Sequence, residues 1–180
     1  MGKPLTYDHL RGKKQPLKRS VRIPMDSDIA DAYEEASNRL EFAKLVAAAK
    51  PEDIAAMAEI DQATEAYRQA KDSVTANSVL FTFRAIGRSK YEKLKLEHPR
   101  TSKQKVEDEK EGRDPSAIAW NHDTFPPALI AAACVSPQLS EEDVQDMWES
   151  DNWSEAELAL LFGTAIDANQ AHRVVDLGKG

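Results

Sequence analysis

A single cysteine, Cys134, leaves no internal disulfide to form, so the chain is not a cystine scaffold and a reducing, cytoplasmic setting is expected. Glycine is scarce, at seven residues, and no dinucleotide fingerprint, P-loop or GxSxG elbow is present. The four histidines, His9, His98, His122 and His172, stand at no metal-ligand spacing, and HExxH and CxxC are both missing. They are read as surface or turn residues. The longest apolar run, residues 128–135, is far too short to span a bilayer, and the chain opens on no secretory signal pattern. These absences exclude the commoner routes to metal, cofactor and nucleophilic chemistry.

What is present favours helix. Twenty-six alanines stand against the seven glycines, and Ala has the best helix propensity where Gly has nearly the worst. Hydrophobic residues make up 41% and charged residues 31% of 180, a globular composition sized for one domain or two small ones. The net charge of −7 is unevenly placed. Residues 1–24 carry seven Lys and Arg against the single acid Asp8, and the remainder carries 17 bases against 30 acids. A basic arm on an acidic body could reach for nucleic acid or an acidic partner, or lie against its own acidic helices. Aromatics are only 7% of the chain, and Tyr7 alone is available in the arm to stack a base, so nucleic acid is disfavoured.

In chain order, residues 1–17 contain Gly2, Pro4, Gly12 and Pro16 without an apolar period and are read as a flexible arm. Residues 20–23, Ser-Val-Arg-Ile, alternate in the strand period and stop at Pro24. Asp26 or Ser27 caps a helix whose stripe is Ile29, Tyr33, Ala36, Leu40 and Ala43, widened by Phe42, Leu45 and Val46. Lys50-Pro51-Glu52-Asp53 breaks it and starts a second helix with Ile54, Met57, Ile60, Tyr67, Ala70 and Val74 on one face. The two form an antiparallel hairpin or a kinked pair. Residues 77–88, NSVLFTFRAIGR, are the most strand-like stretch, followed by a short helix with Tyr91, Leu94 and Leu96 inward.

Residues 99–117 are dense in both charge signs and nearly devoid of apolar residues, the pattern of a charged linker. It divides a front unit, 18–98, from a small helical bundle, 118–180. Three helix starts are legible there. Asp123 or Thr124 precedes Pro126 and Pro127, and residues 128–135 form the buried body of that helix, with Cys134 an inert thiol inside it. Ser140 caps the second helix, with Leu139 and Val144 as a hydrophobic staple. Ser154 and Glu157 make a capping box for the third, with Trp153 and Leu158 as its staple. The fold expected is mainly α with a small two-stranded β ribbon, hence α+β. A helical hairpin is inserted between the strands, and a three-helix bundle closes the chain.

The carboxylates fall at helix starts and on polar faces, where solvation and the helix dipole account for them. Even the neighbours His122 and Asp123 need no catalytic role, since Asp123 can cap. No enzymatic activity and no cofactor are expected. Of the large aromatics, Trp148 and Trp153 are read as bundle core. Trp120 and Phe125 flank a polar turn, and core filling and a partner groove stand as equal readings there.

The order of parts resembles the tail assembly chaperones of long-tailed, siphovirus-type bacteriophages, particularly those of actinobacteria. The resemblance rests on KRSVRIPMD, the paired helices, VLFTFRAIGRSKYEKLKLEHP, the charged linker, WNHDTFPPALIAAACVSP and the closing W-S-x-x-E-L-x-x-L-F, and spans most of residues 18–172. It implies a non-enzymatic protein that binds the long helical tape-measure protein, keeps it soluble and promotes tail-tube polymerisation around it. It also implies action in the host cytoplasm, absence from the mature virion, and a longer frameshifted product that meets the tail tube protein. The Gly178-Lys179 pair is compatible with a slippery sequence and equally with a frayed tail. Self-association is a further expectation. Trp120, Asn121, Asp123 and Phe125 are the candidate client-binding residues. A nucleic-acid-binding accessory protein and a structural virion component are the alternatives.

Overall fold

The computed structural model describes residues 6–112, 114 and 119–171. The expected arm contains a five-residue helix, α1 (Tyr7–Arg11). Strand β1 (Lys18–Pro24) leads into helices α2 (Ser27–Ala49) and α3 (Ile54–Ala76), and strand β2 (Ser78–Arg84) follows. Next come α4 (Arg88–Glu97), α5 (Ser102–Lys110), α6 (Phe125–Ala133), the short strand β3 (Cys134–Ser136), α7 (Glu141–Glu149) and α8 (Glu155–Gln170). The class is α+β, with the helical hairpin inserted between two strands as the sequence pattern predicts.

The sheet has three strands, in the order β1-β2-β3, where a two-stranded ribbon is expected. β1 and β2 run antiparallel: the Ala85 N–H donates to Leu17 O at 2.9 Å, and the Met25 N–H donates to Asn77 O at the other end, also at 2.9 Å. β3 pairs antiparallel with β2, Phe83 opposite Cys134 and Thr82 opposite Ser136, with a register shift between Thr82 and Phe83. The apolar run 128–135 therefore does not end as helix. Its last residues leave α6 for the sheet, and Pro137, which cannot donate to a ladder, stands just after the strand.

The chain divides into two compact units, Arg22–Leu80 and the described residues of 1–21 and 81–180, with the division inside β1 and β2. The partition expected at 99–117 is not the one the packing follows. Phe81 and Phe83 are buried, and Phe81 meets Trp153 edge-on at 6.0 Å between ring centroids. Tyr91 of α4 meets Phe125 of α6 in the same way, also at 6.0 Å. Residues 81–98 thus belong with the bundle.

In the Arg22–Leu80 unit, Asp26 caps α2 by accepting from the Asp28 and Ile29 N–H groups, and Asp53 caps α3 through Ala55 and Ala56. Leu40, Ala43 and Ala47 of α2 are buried, as are Ala56 and Ala63 of α3, with Ile60 and Tyr67 packed on the cluster. Small alanines along the seam let the two helices approach closely. The seam of α3 steps through Ala56, Ile60, Ala63, Tyr67, Ala70 and Val74. Ile54 and Met57, expected inward, lie off that spacing and are 85% and 55% exposed.

The other unit holds the larger core, with Phe83, Phe125, Leu129, Ile130, Val144 and Leu161 fully enclosed. α6 packs on α4, α7 and α8. The capping box expected at Ser154 forms, and the Ser140 cap is a box as well. The Ser140 side chain accepts from the Asp143 N–H and that of Ser154 from the Glu157 N–H, while the carboxylates accept from the cap N–H groups in return. Thr124 precedes α6 without a side-chain cap. Leu96, expected inward on α4, is 80% exposed. Replacing Ser154 with Ala is expected to cost about 1 kcal/mol. Urea denaturation checks this, with a lower midpoint at an unchanged slope.

Candidate functional site

The turn at residues 120–125 is where sequence reasoning places a client-binding site, and the structure makes it a structural junction. Phe125 is completely buried at the start of α6, with the rings of Trp120 at 4.9 Å, Tyr91 at 6.0 Å, Phe162 at 6.1 Å and His98 at 6.5 Å. Trp120 is half-buried and also meets Phe162 edge-on at 5.3 Å. Phe125 has no surface to offer a partner. Of the two readings left open for it, core is correct.

The polar residues of the turn are equally committed. Asn121 is buried; its N–H donates to His98 O at 2.8 Å, and its Oδ1 accepts from Gln104 Nε2 at 3.0 Å and from the Asp123 N–H at 2.8 Å. Asp123 does not cap α6. Its carboxylate accepts from Gln104 Nε2 at 3.0 Å. Gln104 itself completes the capping box of α5 with Thr101.

Beneath this lies a buried ion pair between Arg100 and Asp108, both side chains less than 10% exposed. An Arg100 Nη2 also stands 3.0 Å from His122 Nε2, and since a guanidinium can only donate, that nitrogen accepts. The stretch expected as a charged linker is thus partly a helix fastened by charge. The pattern was illegible because α5 has hardly any apolar period: Val106 is 47% exposed, and the residue turned inward is Asp108.

Chemistry elsewhere is sparse. No group of three or more His, Cys, Asp or Glu among the described residues is arranged to hold a metal ion, and no described helix is long and apolar enough to cross a membrane. Cys134 is buried in β3 rather than in a helix, and its Sγ donates to Pro137 O at 3.1 Å. Burial pushes its thiol pKa up. Iodoacetamide at pH 8 is therefore expected to alkylate Cys134 far more slowly in the folded protein than in urea. Mass spectrometry of timed aliquots checks this, and equal rates would contradict it. Gly178 and Lys179 lie outside the described residues, as do residues 1–5 and His172.

The surface that sequence reasoning took for seam is the one left open. Phe42 and Leu45 of α2 are 69% and 70% exposed, and Ile54 and Met57 of α3 are exposed too, on the other side of the Lys50–Asp53 turn. The hairpin register is set by the Arg39–Glu59 ion pair at 2.8 Å and the Tyr33–Tyr67 hydroxyl contact at 3.1 Å. Counting from those pairs along antiparallel helices puts Phe42 level with Met57, and Leu45 level with Ile54. Four of the exposed large apolar side chains therefore stand at one level of the hairpin, in the last turns of α2 and the first turn of α3, all of them off the seam. Their off-seam spacing was readable, because they fit neither 29-33-36-40-43-47 nor 56-60-63-67-70-74.

The unit as a whole is acidic. Residues 22–80 carry twelve acids and six bases. On α2, Asp31, Glu34, Glu35, Asn38 and Arg39 lead up to Phe42 and line a shallow depression of about 610 Å³. Such a surface suits an apolar stripe flanked by positive charge. Glu65 on α3 is held down at about 2, chiefly by the hydrogen bond from Arg68 and then by Gln69. No family model, curated protein or solved structure matches the chain.

Proposed function

We propose that this protein is a tail assembly chaperone of a long-tailed bacteriophage, acting without catalysis by holding a helical client through the apolar end of its α2–α3 hairpin. The observation that carries the reading is the set of Phe42, Leu45, Ile54 and Met57, exposed on an otherwise acidic unit. Large apolar side chains left in water at one level of a helix pair are available for a partner that meets that end, each pair offering an i, i+3 anchor. Burying each against a client helix is worth roughly 1.5–3 kcal/mol before the costs of association. The surrounding carboxylates keep the complex soluble and select clients with basic flanks. The order of sequence parts supports the same reading independently.

On this reading the client is the tape-measure protein, whose long helices present repeated apolar stripes. The protein works in the host cytoplasm and leaves before the particle is complete. A longer frameshifted product recruits the tail tube protein, and copies associate with one another along the client. The test is co-expression with the adjacent tape-measure gene. The client is expected in the soluble fraction only when this protein is present, and this protein is expected to be missing from purified virions by mass spectrometry. An equally insoluble client with and without it would end the proposal.

A further inference from the structure

We propose that a cationic cleft in the bundle-containing unit, remote in sequence from the hairpin surface and not dependent on the client reading, is a binding site for an acidic peptide segment with an apolar anchor. The cleft has a volume of about 510 Å³ and lies between α4, the end of β2 and β3. Its rim carries Arg84, Lys90 and Lys93, and its floor is formed by Ile86, Leu94 and Val135. The one carboxylate that lines it, Glu97, is already taken by Lys93 at 3.5 Å. Arg84 and Lys90 are exposed and make no ion pair with any described residue. A second depression, of about 470 Å³, meets the cleft at Pro16 and Ala85 and adds Lys14 to the same surface.

In a chain of net charge −7, positive charge here gathers around an aliphatic floor, and the basic N-terminal segment adds to it through Lys14. The volume fits the range of pockets that enclose one or two anchoring side chains. The chemistry of the floor selects among anions. Grooves that hold single-stranded nucleic acid combine positive charge with aromatic side chains on which the bases stack, and no aromatic residue lines the cleft. A bare inorganic anion would leave Ile86, Leu94 and Val135 in contact with water. An acidic peptide carrying Leu-like side chains satisfies both, its carboxylates on Arg84 and Lys90 and its apolar side chain on the floor. Arg84 offers the forked donor geometry that a carboxylate matches, and Lys90 a point charge.

The experiment is fluorescence anisotropy of the full chain with a fluorescein-labelled peptide of repeating Glu-Asp-Leu units. Comparison probes are the same peptide with Ser in place of Leu, and single-stranded oligodeoxythymidine. Arg84→Ala with Lys90→Ala is expected to weaken binding of the Leu peptide about tenfold, what two partly screened ion pairs contribute. Lys103→Ala with Lys105→Ala removes the same charge from α5, away from the cleft, and is expected to leave binding unchanged. All four side chains are exposed, so thermal melts of both double variants are expected to match that of the parent. The Ser peptide is expected to bind more weakly than the Leu peptide. Equal weakening by the two double variants would overturn the proposal by showing unspecific charge attraction. So would equal affinity of the Leu and Ser peptides, or stronger binding of the oligonucleotide.

Discussion

Phe125→Ala is expected to lower the free energy of unfolding by about 3–5 kcal/mol, enough to consume a large share of the stability of a domain this size. The ring is fully enclosed, and four aromatic neighbours, from α4, from α8 and from the two ends of the surrounding loops, converge on it. Truncation removes the transfer energy of the ring and leaves a cavity whose walls are themselves rigid rings, so collapse is poor. The edge-on contacts add to the loss, at roughly 0.5–1.5 kcal/mol for each pair. Phe125→Leu keeps most of the volume and is expected to cost far less. Urea titration followed by tryptophan fluorescence measures both. A Phe125→Ala variant of near-parental stability that still bound client more weakly would mean that the ring serves as a contact and not as core.

The second large effect is at the Arg100–Asp108 pair. Asp108→Ala takes a carboxylate from a guanidinium that is 3% exposed, and the expected loss is about 3–5 kcal/mol. The double replacement Arg100→Met with Asp108→Leu is expected to be far milder, close to neutral, because it removes both desolvated charges together. The difference between single and double variants is the informative quantity, since it separates the worth of the pair from the cost of leaving one charge alone. His122 bears on the outcome as well, because Arg100 also donates to it. Equal destabilisation by single and double variants would show that packing, not charge, holds α5.

How much of this was legible follows from which physical signals are local. Capping is local: Ser140, Ser154 with Glu157, and Asp26 each depend on residues within one turn; the first two appear where the sequence places them, and Asp26 is the one of two candidates, with Ser27, that caps. Burial periodicity is nearly local, which is why α2, α3 and α8 are found with close boundaries. The failures are of another kind. β3 exists because Cys134 finds Phe83, about fifty positions earlier in the chain, and nothing in an Ala-rich run announces such a partner. α5 exists because Asp108 finds Arg100 and Gln104 finds Asn121, so its inward face is polar and its pattern reads as a linker.

The candidate site moved for the same reason. Rare aromatics at a polar turn look alike whether they face a partner or their own core, and only the packing of Tyr91 and Phe162 on Phe125 decides. The hairpin end was overlooked because Phe42, Leu45, Ile54 and Met57 were absorbed into a widened apolar stripe. A strict count of the seam would have excluded them. What sets them apart is position: the seam takes both small and large side chains, among them Leu40, Ile60 and Tyr67, but only at its own spacing, which these four miss.

The central claim, that this hairpin end grips a helical client, is tested most directly by measuring binding of a tape-measure segment to the parent and to a variant carrying Phe42→Ser, Leu45→Ser, Ile54→Ser and Met57→Ser. All four side chains are solvent-exposed, so the variant is expected to melt as the parent does. Loss of a few kcal/mol of apolar burial is expected to weaken client binding by about a hundredfold or more. Unchanged affinity in a variant of unchanged stability would contradict the account.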